Sequence, residues 1–431
     1  MGGVADVFRA ERLNPEIWRI RTPEEIIERK YNQLGGQAVL GPVVSKEEGR
    51  VWFMNGSCIC YNADRRAAFE IHGAIYEKWR ALGGLAFGTP CTDETATPDN
   101  SGRYNHFNGF TASIYWSPAT GANAIYGAIR EKWAAMGWER SVLGYPVTDE
   151  LGTPDGVGRF NHFQHGGSIY WTPQTGANAV WGAIRQHWES MGWERSYLGY
   201  PTSDEMDFSE GGRANTFQNG GIYWWPDVGP IDLRDVVVHY TGLHCFGETD
   251  WDQSSNSDEP YVILSIATPQ VNSTVRSRVY DDVDGREARP DLLELYRGKP
   301  YGIVIGTVLM ENDFGNPDHY KETVETIVNS THQAGLVALG FIPLVGPVIS
   351  TLADAFITPL MPDLADAIND ALDTGDDKIG SANVVLTGRQ MVLLAARTQN
   401  SNHYGIGFKA ETPLISGGGA SYKAYFGLVP A

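Results

Sequence analysis

Basic residues are scarce in this chain of 431 residues, because 33 Lys and Arg stand against 52 Asp and Glu and give a formal net charge of −19. Proteins that bind nucleic acid draw most of their affinity from basic side chains that replace counterions along the phosphates. The charge balance therefore excludes nucleic acid as an expected partner. Anionic lipid would also be repelled, unless metal ions lay between it and the protein.

Cysteine is also rare, and the four residues Cys58, Cys60, Cys91 and Cys245 show no paired C-x-x-C spacing of a zinc site. A bridge from Cys91 to Cys58 or Cys60 and free buried thiols both remain open. The sequence also lacks a Gly-x-Ser-x-Gly elbow, a P-loop and a His-Glu-x-x-His helix. These absences predict a protein that is not an enzyme, with a divergent cell-wall hydrolase as the less favoured alternative.

What the sequence does contain is an internal repeat with a period of about 55 residues. The run at 74–79 returns at 128–133 and again at 183–188. Each copy continues with a turn such as Leu-Gly-Tyr-Pro at 143–146, an acidic pair such as Asp149-Glu150, and two short alternating segments. Apolar residues at i, i+3, i+4 and i+7 predict a short helix, and alternation predicts a β-hairpin. With a degenerate first copy, four units fill residues 26–229.

These units resemble the LGFP repeats of actinobacterial cell-envelope proteins. The resemblance covers nearly half of the chain and implies a small array of repeats that holds a protein to the cell wall or its glycans. It leaves residues 1–25 as an N-terminal extension. The tryptophans and prolines that recur in each unit, such as Trp79, Trp133 and Trp188, are expected to form the core and turns of the repeats.

A second recurring set has the residue types of a sugar site, in which a ring covers an apolar sugar face and planar donors satisfy hydroxyl groups. A structural hydrogen-bonding role is the alternative for these residues. The candidate glycan-binding residues are Arg103, Asn105, His106, Trp116, Arg159, Asn161, His162, Trp171, Arg213, Asn215 and Trp224.

The composition changes near residue 232, where β-branched segments replace the Gly-Trp rhythm and predict a second domain at 232–431. Six segments of this region have the composition of strands, and an antiparallel β-sandwich is the economical arrangement. The segments are 236–240, 261–267, 301–309, 383–387, 404–409 and 422–428. The fold class expected for the whole chain is thus α+β or mainly β.

Acidic loops lie between these predicted strands and suggest Ca²⁺, which takes six to eight oxygen ligands from flexible loops. The alternative is that the acidic groups only solvate the loop tips. The candidate metal ligands are Asp250, Asp252, Asp258, Glu311, Asp313, Asp376 and Asp377.

The clusters resemble the calcium-dependent membrane-docking β-sandwich of conventional protein kinases C and synaptotagmins. That family carries Asp, five residues, then Asp-Pro-Tyr-Val, and Asp252 and Asp258 keep the spacing, although Glu259 intrudes before Pro260. Glu311 and Asp313 match its later Asp-x-Asp, and the segment 377–380 matches its last motif. The resemblance implies a Ca²⁺ site that can dock on lipid. The chain departs from it through about 60 residues between Asp313 and Asp377.

Those residues form a helical insertion at 318–373, in which 334–361 carries Asp354 as its single charge and is broken by glycine and proline. Its breaks argue against a simple spanning helix. A helical hairpin that packs on the sandwich is one interpretation. Entry into a bilayer is the other, and it would make the protein a pore-forming toxin that uses the repeats as a receptor lectin.

The sequence thus predicts a secreted or cell-envelope-associated binding protein. Its expected partner is a cell-wall polysaccharide or another glycan, and Ca²⁺ is its expected cofactor. A lipid membrane is a further partner if Ca²⁺ mediates the contact.

Overall fold

The computed structural model describes residues 21–47, 49–248, 258–312, 317–338, 367, 378–397, 400–401 and 404–431. Within it the chain forms two compact units, Met1–Ala177 and Asn178–Ala431. The predicted domain boundary near residue 232 lies inside the second unit. The predicted extension 1–25 is described only from residue 21 onward.

The first unit is built from four-stranded antiparallel sheets that alternate with short helices. The helices are α1 (Pro23–Gln33), α2 (Gln37–Leu40), α3 (Gly73–Ala81) and α4 (Gly127–Met136). Sheet one contains β1 (Val43–Glu47), β2 (Arg50–Phe53), β3 (Cys58–Asn62) and β4 (Ala67–Ile71). Sheet two contains β5 (Thr95–Ala96), β6 (Arg103–Phe107), β7 (Ala112–Ser117) and β8 (Gly121–Tyr126). Sheet three contains β9 (Leu151–Gly152), β10 (Arg159–Phe163), β11 (Gly167–Thr172) and β12 (Gly176–Trp181), which ends in the second unit.

Each predicted hairpin is therefore the centre of a four-stranded meander. In sheet two, alternation sends Asn105 and Phe107 to one face, where they meet α3, and Tyr104 and His106 to the other. That other face packs against α4, whose Trp133 ring lies 4.7 Å from the ring of Tyr115. Sheet two thus receives one helix on each face.

After the end of β12, the second unit continues with α5 (Gly182–Ser190) and a fourth sheet of the same type. This sheet contains β13 (Met206–Phe208), β14 (Gly212–Phe217), β15 (Gly220–Trp225) and β16 (Gly229–Leu233). The predicted four repeat units correspond to these four sheets with their helices.

The rest of the second unit contains two larger antiparallel sheets, and the predicted mainly β class is confirmed. One sheet contains β20 (Ala288–Gly298), β17 (Val236–Gly247), β27 (Ala420–Pro430), β25 (Ala410–Glu411) and β26 (Ile415–Gly417). The other contains β19 (Asn272–Arg276), β18 (Pro260–Ala267), β21 (Ile303–Glu311) and β22 (Lys378–Leu386). The remaining elements are α6 (Pro317–Ala338), α7 (Gly388–Ala396), β23 (Asn400–Ser401) and β24 (Gly407–Phe408).

The two larger sheets share one core, and we call them the sandwich. The same continuous apolar core joins the fourth sheet to this sandwich. Phe208, Tyr223 and Trp225 on one face of that sheet belong to the same buried cluster as residues of both larger sheets and of α7. The Arg389 guanidinium lies 5.5 Å from the centre of the Trp225 ring and forms an ion pair of 2.5 Å with Asp227. In sheet two the corresponding face packs against the next helix, so α7 and the sandwich replace that helix here.

The first part of the predicted insertion packs on the sandwich. Helix α6 contacts β18 and β19, and its Val324 and Val328 are buried beside Tyr261 and Val308. For residues 318–338, this contact supports the interpretation that the insertion packs on the sandwich. Apart from residue 367, the insertion beyond residue 338 lies outside the described residues, so bilayer entry by 334–361 stays a prediction.

The four cysteines are buried and free. The Sγ atoms of Cys58 and Cys60 lie 3.4 Å apart on the same face of β3. The interpretation of free buried thiols is the one that the structure supports.

Candidate functional site

The three candidate asparagines are completely buried and have a structural role. The Asn105 amide donates to the carbonyl oxygens of Glu70 and Thr92 at 3.2 and 2.9 Å. Asn161 and Asn215 make the equivalent pairs of bonds to carbonyls of the preceding strand and loop. Because a buried amide that already donates twice cannot meet a glycan, the prediction of sugar contact is wrong for Asn105, Asn161 and Asn215.

The two candidate histidines lie on the opposite face of their sheets from the candidate arginines, because successive strand residues alternate. In His106 the Nδ1 atom is 2.7 Å from Ser113 Oγ, and burial together with the Arg130 charge lowers the pKa of the imidazole to about 4. His162 makes the same contact with Ser168 at 2.7 Å. Both are half-buried on the sheet face opposite the candidate arginines, so His106 and His162 do not share a sugar site with those arginines.

The candidate arginines and the candidate tryptophans are neighbours on adjacent strands. The cross-strand pairs are Arg103 with Trp116, Arg159 with Trp171, and Arg213 with Trp224. All three tryptophans are partly exposed. Each pair lies on the sheet face that meets the helix of its own repeat.

A buried glutamate that sequence reasoning did not assign completes each site. The side chains of Glu94, Glu150 and Glu205 are only 7%, 6% and 9% exposed. Arg213 Nε lies 3.0 Å from Glu205 Oε1, and Arg159 Nε lies 3.9 Å from Glu150 Oε1. Each glutamate is the second member of the acidic pair that recurs in every repeat, and this recurrence was the signal available in the sequence.

The first member of each acidic pair is an aspartate that accepts a hydrogen bond from the backbone. Asp149 Oδ1 accepts a hydrogen bond of 2.8 Å from the backbone N–H of Ala124, and Asp204 accepts the equivalent bond from Ala179. The aspartate thus ties its loop to the preceding strand. The neighbouring glutamate then lies near the arginine of its repeat, as Glu150 does to Arg159 and Glu205 to Arg213.

We call these three sites the grooves and name each one by its glutamate. The Glu205 groove is a cavity of about 160 Å³ lined by the rings of Trp181 and Trp224, by Arg213 and by the first residues of α5. Sites for drug-sized ligands occupy about 300–1,000 Å³. The Glu205 groove therefore suits the edge of a single small ring.

The Glu150 groove holds a carboxylate that is only partly compensated. Burial raises the pKa of the Glu150 carboxyl to about 7, while a hydrogen bond from the Tyr126 backbone N–H and the Arg159 charge lower it in part. The Glu150 Oε2 atom is buried and has no hydrogen-bond partner among the described residues. A buried acceptor without a partner is costly, and a ligand hydroxyl that donated to it would remove that cost.

The Glu94 groove differs because His72 occupies the position of Tyr126 and Trp181. Its ring nitrogens lie 2.8 Å from Glu70 Oε1 and 3.1 Å from Glu94 Oε1. Hydrogen bonds to Glu70 and then to Glu94 raise the pKa of His72 to about 10. The imidazole is therefore positively charged at neutral pH.

A pH-dependent contribution to stability should follow from the raised pKa of His72. A pKa raised in the folded state stabilises fully below the ordinary value of about 6.5 and loses that effect as pH rises towards 10. His72→Gln should lower the melting temperature at pH 6 and have much less effect at pH 10. The shift should be modest, because water screens the half-exposed imidazole. Equal shifts at both pH values would contradict the assignment.

The candidate calcium ligands are described only in part. Asp250, Asp252, Asp313, Asp376 and Asp377 lie outside the described residues. Asp258 is 1% exposed and accepts a hydrogen bond of 2.6 Å from the Tyr422 hydroxyl, and Glu311 is 7% exposed. Within the described part of the chain, no three His, Cys, Asp or Glu side chains are grouped to hold a metal ion.

The strand register places three described residues that flank acidic segments of the sequence at one end of a sheet. Pro260 pairs with Glu311, and Met310 pairs with Lys378. The segments 249–257, 313–316 and 371–377 adjoin these paired residues.

The arrangement of the four sheets defines a repeat protein whose units combine a short helix with a four-stranded meander. Residues 87–141, 143–196 and 198–238 match the LGFP repeat family, so this chain carries three consecutive LGFP repeats, where the sequence predicts four. The first sheet shares the architecture but precedes the matched residues. LGFP repeats mark the chain as a cell-wall-associated binding protein.

Other comparisons add little to this assignment. No curated protein matches the chain. Among solved structures, the extracellular domain of a one-component system from B. thetaiotaomicron is 8% identical over 63% of this chain and 48% of its own, with a TM-score of 0.12. This chain spans about half of that chain, and so low a TM-score carries no argument. The resemblance of residues 232–431 to the calcium-dependent membrane-docking domain gains no support.

Proposed function

We propose that the protein is a non-enzymatic lectin that holds cell-wall glycan in the grooves of its LGFP repeats. The observation that carries this proposal is the triple recurrence of a partly exposed tryptophan, a cross-strand arginine and a buried glutamate. The indole covers an apolar sugar face, while arginine donates to sugar oxygens and the carboxylate accepts from hydroxyl groups. Several grooves on one chain would add avidity on a polymer that presents many equivalent units.

Removal of the rings tests this function. The Trp171→Ala, Trp224→Ala double variant of the full chain should lose about 10-fold or more in apparent affinity for protein-free bacterial cell wall, because two sugar-stacking surfaces disappear. A pelleting assay over a range of cell-wall concentrations measures this loss.

Phe110→Ala is the control, because Phe110 is 39% exposed and lies on the opposite side of its sheet from the grooves. It should bind as the unchanged protein does. Pelleting that is equal for the double variant and the control, or an unchanged protein that does not pellet, would contradict the proposal.

A second contact that depends on Ca²⁺ is proposed for the acidic end of the sandwich. The position of Pro260, Glu311 and Lys378 at one end of the same sheet supports it, because an acidic segment of the sequence lies next to each of them along the chain. Asp250, Asp252, Asp313, Asp376 and Asp377 would supply the oxygen ligands. Asp258 is less suited to this role, because its buried carboxylate already binds the Tyr422 hydroxyl.

Calorimetric titration of Ca²⁺ into the full chain tests this contact. Binding is expected at about 10⁻⁴–10⁻³ M, as in extracellular modules, and Asp376→Asn with Asp377→Asn should abolish it. No heat above dilution in the unchanged protein would exclude the site. None of the described helices is long and apolar enough to cross a membrane.

A further inference from the structure

The three grooves share a plan but differ at two aligned positions. The residue before the helix is His72 in the Glu94 groove, Tyr126 in the Glu150 groove and Trp181 in the Glu205 groove. Two residues earlier stands Glu70 in the first case and alanine in the other two. The alignment is secure because the carbonyls of Glu70, Ala124 and Ala179 accept from equivalent asparagines.

These two differences act together in the Glu94 groove. The additional carboxylate of Glu70 and the carboxylate of Glu94 bind the two nitrogens of one imidazole. The ring is thereby fixed as a charged group between two carboxylates. It occupies the Glu94 oxygen at the point where the other grooves present an uncharged aromatic ring.

We propose that only the Glu150 and Glu205 grooves bind glycan, and that they bind an uncharged sugar, while the Glu94 groove is closed by the protein's own histidine. This inference rests on the proposed lectin function and deepens it. Each chain would therefore have two glycan-binding sites.

The chemistry of the two open grooves favours a neutral sugar with adjacent hydroxyl groups. Two such hydroxyls can donate to one carboxylate while the ring lies against indole or phenol. Glu150 Oε2 and Glu94 Oε2 are both buried without a hydrogen-bond partner among the described residues, so the Glu150 and Glu94 grooves differ in the histidine that holds Glu94 Oε1 and not in this acceptor. An anionic sugar would place its charge against a buried carboxylate, which is unfavourable in a site of low dielectric constant.

Isosteric substitutions in the full chain test whether the Glu94 groove differs from the other two in glycan binding. Glu150→Gln and Glu205→Gln should each weaken binding to protein-free cell wall by about 10-fold or more, because the amide offers one acceptor oxygen where the carboxylate offers two. Glu94→Gln should change binding by less than about 2-fold. Neutral and anionic oligosaccharides released from the same wall and separated by ion exchange should compete unequally, with the neutral pool the stronger competitor.

A gain of binding provides the complementary test. Glu70→Ala combined with His72→Tyr gives the Glu94 groove the residue types of the Glu150 groove, and it should strengthen binding by about 10-fold on a polymer. Circular dichroism confirms that each variant is folded.

The outcomes separate this inference from the lectin function itself. Equal losses for Glu94→Gln and Glu150→Gln, or stronger competition by the anionic pool, overturn the inference and leave the lectin intact. Unchanged binding in the Glu150→Gln, Glu205→Gln double variant overturns both.

Discussion

Replacement of Trp133 by alanine should destabilise the protein by about 3–5 kcal/mol, the range for large aromatic residues removed from a core. Trp133 is completely buried, and its ring lies 4.7 Å from that of Tyr115 and 5.8 Å from that of Phe163. Its indole N–H donates to the Gly144 carbonyl at 3.2 Å. One side chain thus joins sheet two, sheet three and the Leu-Gly-Tyr-Pro turn, and urea unfolding measures its loss.

Trp116→Ala is the matched control for Trp133→Ala. Trp116 belongs to the same repeat array but is partly exposed on β7. Its truncation removes less buried surface and should cost about 1 kcal/mol. Losses of similar size for the two variants would show that the core is not organised around Trp133.

Gly388→Leu should destabilise the second unit by about 3 kcal/mol, at the upper end for overpacking of a core. A Cβ atom at Gly388 would lie 2.9 Å from both Phe208 Cζ and the Pro300 carbonyl oxygen. These neighbours are fixed in the contact between the fourth sheet and α7, so the larger side chain would force the two apart. Unfolding followed by tryptophan fluorescence and by circular dichroism should then no longer give coincident transitions.

Ala396→Leu places the same side chain on the exposed end of α7. Its effect should stay within about 0.5 kcal/mol, as expected for surface substitutions. If Gly388→Leu were equally mild, the fourth sheet and the sandwich would have to be separate bodies.

Repetition in the sequence was sufficient to predict the repeat units and their cores. Trp79, Trp133 and Trp188 recur at nearly equal intervals, and their burial confirms the expected structural role. In the sandwich, predicted strands coincide with β17, β18, β21 and β27. Strands β5 and β9 have only two residues each and no periodicity that could reveal them.

The candidate site was harder to predict because contacts between distant segments decide it. Recurrence alone could not distinguish Asn105, which is buried, from Arg103, which is exposed, although both recur in each repeat. Strand alternation also separates His106 from both of them. Glu150 gains its role only through burial beside Tyr126, a contact between segments that the sequence does not align.

The fourth sheet has a consequence for the length of the array. In sheet two, the face with Tyr115 receives the helix of the following repeat. In the fourth sheet, the equivalent residue Tyr223 is sealed inside the sandwich core. A fifth repeat inserted after β16 would have no exposed apolar face to pack against. The carboxyl-terminal domain therefore ends the series of repeats, and a duplicated repeat could be added only before the fourth sheet.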